Sequence, residues 1–135
     1  MGDRARVVFH DERKFSPSIY LHWGGGNVRA YLNKALPRMR TGDLAYASAR
    51  FCGTCHEEIS GGLSLGLLPA PDGATFEEQM ASARSSDFSH GDAGVFLVNV
   101  QDWTVEAING YGFGRGGDDD EEEGTTIQLD ASRAC

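Results

Sequence analysis

Hydrophobic and polar positions follow two rhythms along this chain. Val7, Val8 and Phe9 form a short apolar run, followed by a polar turn from Asp11 to Lys14 and a loop marked by Pro17. Ile19, Leu21 and Trp23 then alternate with Tyr20 and His22, the period of a half-buried strand. The two segments read as a hairpin, with Trp23 on the core face and His22 on the opposite one. After Gly24-Gly25-Gly26, with Asn27 placed as an N-cap, the period changes. Val28, Tyr31, Leu32, Ala35 and Leu36 form one helical stripe that Pro37 ends. A second helix starts at Asp43 and carries Leu44, Ala47, Phe51, Cys52, Cys55 and Ile59 on its apolar side, with Gly53 as an unfavourable interior residue.

Leu63 to Leu68 reads as a strand stopped by Pro69 and Pro71, and Thr75 with Glu78 spells a capping box for a short helix carrying Phe76, Met80 and Ala83. Val95 to Val100 is almost continuously apolar, as in a central strand covered on both faces. Asp102 marks a turn, and Trp103, Val105 and Ala107 alternate with Thr104 and Glu106, a second hairpin. Thr125 to Leu129 fits an edge strand or a tail. This order predicts an α+β fold: an antiparallel sheet of about five strands, hairpins at both ends, and two or three helices packed mainly on one face.

A chain of 135 residues is one domain and long enough to bury a core without disulfide or metal staples. The predicted division is a single α+β domain over 1–112 and a C-terminal segment over 113–135. That segment follows five glycines between Gly110 and Gly117 and contains an acidic run. No apolar run approaches the roughly 18 residues of a membrane span, and none near the start resembles a leader's apolar region. The expectation is a cytoplasmic protein without a membrane partner. An odd number of cysteines, three, fits reduced thiols rather than a disulfide framework.

Charge changes the picture. The net charge is −8. Residues 1–50 hold nine Lys and Arg against four Asp and Glu, whereas residues 51–135 hold three against sixteen. Six acids are consecutive: Asp118, Asp119, Asp120, Glu121, Glu122 and Glu123, with Asp130 nearby. Phosphate binding needs a concentrated excess of Lys and Arg, so no direct nucleic-acid partner is expected. The acidic run and Asp130 are instead candidate contacts for a basic protein surface.

Two motifs carry candidate chemistry. Cys52-Gly-Thr-Cys55-His56 matches the C-x-x-C-H of covalent haem attachment, in which the thiols form thioethers and the imidazole binds iron. No export signal accompanies it, and no clear second axial ligand follows beyond Met80 or His90. A thioredoxin-like pair would need its attacking thiol at a helix N-terminus, and Cys52 lies about two turns in. Zinc fits better than haem, because Cys52, Cys55 and His56 stand at i, i+3 and i+4 with His90 or Cys135 as a fourth donor, although a second ligand pair is missing. Against all three stands a plain alternative: buried free cysteines pack as small hydrophobes. No cofactor is required. The second motif is His22-Trp23-Gly24-Gly25, a possible ligand site whose glycine N–H groups precede a helix and could receive an anion. His22 is a conceivable general base, but no nucleophile is set beside it by sequence.

Met1-Gly2-Asp3-Arg4, the element Tyr20-x-His22-Trp23-Gly24-Gly25, and a helix ending Ala35-Leu36 resemble a group of small uncharacterised proteins of bacteriophages and prophages. Asp43, Tyr46 and Ala49-Arg50-Phe51, and the later strand pair from Val95 to Val105, extend the likeness over most of residues 1–108. The C-x-x-C-H, residues 69–92 and the acidic tail depart from that pattern. The group lends no activity, so no catalytic residue is carried over. The resemblance implies a non-enzymatic protein that binds a host protein complex in the bacterial cytoplasm. One version is an acidic-surface inhibitor of a nuclease or defence system, an anti-CRISPR candidate. The alternative function is a metal- or thiol-dependent protein built on Cys52, Cys55 and His56.

Overall fold

A computed structural model describes residues 2–59, 65–113 and 125–135. Among these residues, six strands and three helices form an α+β fold. The chain runs β1 (Ala5–His10), β2 (Ser18–Leu21), α1 (Val28–Ala35), α2 (Leu44–Glu58), β3 (Leu65–Leu68), α3 (Phe76–Arg84), β4 (Gly94–Asn99), β5 (Thr104–Ile108) and β6 (Thr125–Gln128). No described helix is long and apolar enough to cross a membrane.

The sheet has the order β3-β2-β1-β4-β5-β6. Both hairpins are present: Ala5 pairs with Leu21 across β1 and β2, and Val95 with Ile108 across β4 and β5. The expected all-antiparallel sheet is corrected, because β1 and β4 run parallel from Ala5↔Gly94 to His10↔Asn99. Parallel neighbours need a long crossover. Here β2, α1, α2, β3 and α3 together make it, returning the chain to the end of the sheet where β1 began. The segment left between edge strand and tail is an edge strand, β6, paired to β5 from Ala107↔Thr125 to Thr104↔Gln128.

Two of the three helices share one face, and the third covers the other. Ala5, Val7, Phe9, Ile19, Leu21, Phe96 and Val98 pack with the stripes of α1 and α2. The opposite parity, Val8, Val95 and Leu97, packs with Ala83, Phe76 and Met80 of α3 and with Phe15 and Phe88. β4 is therefore covered on both sides, as its continuous apolar run requires. The caps follow the sequence. The Asp43 side chain accepts the Tyr46 N–H at the start of α2. Thr75 and Glu78 form both halves of the capping box on α3. Asn27 occupies the N-cap position of α1 without a side-chain hydrogen bond; a 3-10 turn, Gly25–Asn27, leads in instead.

Candidate functional site

One end of the sheet gathers the start of β1, the end of β2, the start of β4, the end of β5 and the start of β6. The His22-Trp23-Gly24-Gly25 element lies there. The strand β2 stops at Leu21, so Trp23 does not continue the alternation: it is 51% exposed rather than in the core. Gly24 has φ of +90°, the left-handed region that favours glycine, and turns the chain towards α1. Gly25 approaches the first strand so closely that a Cβ there would lie 2.7 Å from Asp3 O and 2.9 Å from Ala93 Cβ.

An internal acid closes this turn. Gly25 N–H donates to Asp3 O at 2.8 Å and Gly26 N–H to Asp3 Oδ2 at 3.0 Å. Of the N–H groups considered for an anion, that of Gly26 thus points at a carboxylate of the same chain and that of Gly25 at a backbone carbonyl. The second oxygen of Asp3 accepts the Tyr111 hydroxyl, which ties the turn to the segment beyond β5. Asp3 N–H in turn donates to His22 O at 2.8 Å.

Beside Trp23 lies a polar group that sequence patterning did not assemble. The His22 ring meets Trp23 edge to face at 5.7 Å. Tyr20 Oη lies 2.9 Å from His22 Nδ1, and the Tyr20 ring packs edge-on against His90 at 5.0 Å. Arg4 Nε pairs with Asp92 Oδ2 at 2.9 Å, and the Arg4 N–H groups hold that carboxyl below its ordinary pKa. Burial, followed by Arg6 and Arg4, lowers the His90 pKa. Arg4 and Asp92 share no local motif with His22. Only the pairing of β1 with β2 and β4 collects them.

The thiol motif lies elsewhere, on α2. Cys55 is buried in the core and its thiol is pushed far up by burial. Cys52 is half-buried, its thiol also raised by burial, and His56 is exposed. Among the described residues no group of three or more His, Cys, Asp and Glu is placed to hold a metal. The zinc reading loses its ligand set, and a thiol held protonated is a poor nucleophile. Cys135 is exposed at the chain end, where its N–H donates to Met39 O at 2.7 Å.

Cys52 and His56 instead help line an apolar groove of about 530 Å³ between α2 and the β2–β3 edge. Ile19, Leu65, Leu67 and Pro17 complete it, with Ser48, Ala49 and Gly53. The one signal for it in the sequence is the absence of any charge between Ile59 and Pro71.

The acidic residues Asp118, Asp119, Asp120, Glu121, Glu122 and Glu123 lie outside the described residues. The described residues that bracket the run, Phe113 beyond β5 and Thr125 at the start of β6, belong to the same end of the sheet as Trp23. Asp130 is exposed past the other end of β6, where its carboxylate accepts Ser132 N–H and hydroxyl and is held below its ordinary pKa.

Comparison with known proteins places nothing beside this chain: no family model, no curated protein and no solved structure matches it.

Proposed function

We infer that this is a non-enzymatic, phage-type protein that binds a host protein through the end of the sheet bearing Trp23. The observation that carries this reading is a juxtaposition. A half-exposed tryptophan, fixed on a turn closed by Asp3, shares that end with the two chain ends that bracket the acidic run. Trp, Tyr and Arg dominate the energetics of protein interfaces, most of all where they are held rigid before contact. Trp23 supplies such an anchor, with His22 and Tyr20 beside it. The acid-rich second half of the sequence favours a partner with a basic surface and speeds the encounter. Inhibition of a nuclease or a defence complex is the form of this function in which a basic, nucleic-acid-binding groove is the target.

Catalysis has less support. His22 and His90 are exposed, and neither lines the apolar groove beside α2.

Affinity capture from host lysate tests the reading, with the wild type beside Trp23→Ala and a chain whose acids at 118–123 are exchanged for their amides. The expected result is one host protein held by the wild type, released by high salt and lost from both variants. Identical capture by all three chains overturns it.

A further inference from the structure

The two edges of the sheet are built differently. Natural proteins guard free strand edges with charge, proline or distortion, because an unpaired edge templates pairing with another chain. The edge β6 follows six consecutive acids and precedes Asp130. The edge β3 lies in the uncharged stretch 59–71, and Leu67 is 64% exposed on it. Proline guards only the exit of β3, where Ser18 Oγ and Arg6 Nη2 donate to Pro69 O at 2.9 and 3.3 Å. These bonds hold the strand in place, and among the described residues no strand pairs with its outer edge.

We propose that β3 and the adjoining α2 groove form the interface between two copies of this chain, joined as one continuous sheet about a twofold axis at Gly66. An isologous interface must be self-complementary. The sequence Leu65-Gly66-Leu67 reads the same in both directions about its glycine. In an antiparallel pair centred on Gly66, Leu65 stands opposite Leu67 of the second copy, and directly opposed residues share a face. Leu65 and Leu67 both belong to the α2 face, since they are in register with Leu21 and Ile19. Leu67 of the second copy therefore enters beside Leu65, at the groove, where Gly53 leaves open space: no atom lies within 4 Å of a Cβ built there. A Cβ at Gly66 likewise meets nothing, so the two backbones can approach across the axis.

Charge selects the second copy as the occupant. A chain of net charge −8 meets itself with least repulsion where carboxylates are absent, and no residue lining the groove is acidic or basic apart from His56. The strand that the acidic run leads into is five strand spacings from β3, about 24 Å at ~4.8 Å each. Joining the copies at β3 sets the two β6 strands further apart still. The twofold axis directs the two Trp23 ends in opposite directions. Each copy then offers its binding end freely, so this inference stands or falls independently of the function proposed above.

Light scattering on the eluting full-length chain tests it. The expected mass is twice 14.6 kDa. Leu67→Lys should elute as a monomer with an unchanged circular dichroism spectrum, while Thr126→Lys, the same charge on the β6 edge, should remain dimeric. A second chain, Gly66→Cys with Cys135→Ser, reads the register: mild oxidation should yield a covalent dimer linked through position 66. A monomeric wild type overturns the proposal. So does a dimer that survives Leu67→Lys or fails to cross-link at position 66, since its interface lies elsewhere.

Discussion

Asp3 Oδ2 accepts the backbone N–H of Gly26 at 3.0 Å, so an acid near the start of the chain closes the turn that carries Trp23. The same carboxylate accepts the Tyr111 hydroxyl. Asp3→Ala removes the acceptor from both and should lower stability by about 1–2 kcal/mol, in the range of a lost capping acceptor. Asp3→Asn keeps one oxygen and should lose less. Urea denaturation of the three chains checks the order.

The two tryptophans should separate stability from binding. Trp103 is fully buried, and its Nε1–H donates to Thr41 Oγ1 at 2.9 Å. Trp103→Ala opens a cavity and removes the hydrogen bond to Thr41, at a cost of about 3–5 kcal/mol. Trp23→Ala touches no core and should stay within about 0.5 kcal/mol of the wild type. Thermal melts of both variants test this directly.

The capping box on α3 offers a local test of the second core. Thr75→Ala frees the Glu78 N–H and should cost about 1 kcal/mol. The loss should appear as faster amide exchange in α3 and in the contacts of Phe76 and Met80 with Phe15 and Val8, leaving α1 and α2 protected.

Much of this architecture is legible in the residues, because termination and periodicity are local properties. Thr75 and Glu78 announce α3, Asp43 announces α2, and the stripe from Val28 to Leu36 announces α1 and the turn after it. The parallel pairing of β1 with β4 is not legible, because both strands bury residues on both faces and nothing local says which edges meet. The exposure of Trp23 was hidden for a related reason. Alternation runs on past Leu21, but the strand is ended by Gly24 and by a carboxylate from a different part of the chain. Of the candidate site, Tyr20, His22, Trp23, Gly24 and Gly25 could be named from sequence, whereas Arg4, His90 and Asp92 join them only through the fold. The β3 edge was visible only as missing charge.

Acid should destabilise the fold through His10. This buried imidazole lies against Phe15 and Phe76, and its Nδ1 accepts the Glu12 N–H at 3.1 Å. Burial lowers its pKa below the ordinary 6.5 despite the opposing pull of Glu12, Asp11 and Asp102, and Arg84 lowers it further. The unfolded chain therefore binds a proton near pH 6.5 that the folded chain refuses. Stability is full above that pH and declines as the pH falls from about 6.5 towards the lower folded-state value. His90 contributes with the same sign. Melting temperatures between pH 8 and pH 5 should fall in the wild type, and less steeply in His10→Asn, whose amide oxygen can still receive the Glu12 N–H.

The measurement that bears most directly on the central claim is the affinity of the captured host protein for the wild type and for Trp23→Ala, taken at the same salt. A tryptophan anchor at the centre of an interface contributes ~2 kcal/mol or more, so the variant should bind about 30-fold more weakly while melting at the same temperature. Equal affinity of the two chains would contradict the account and place the contact away from this end of the sheet.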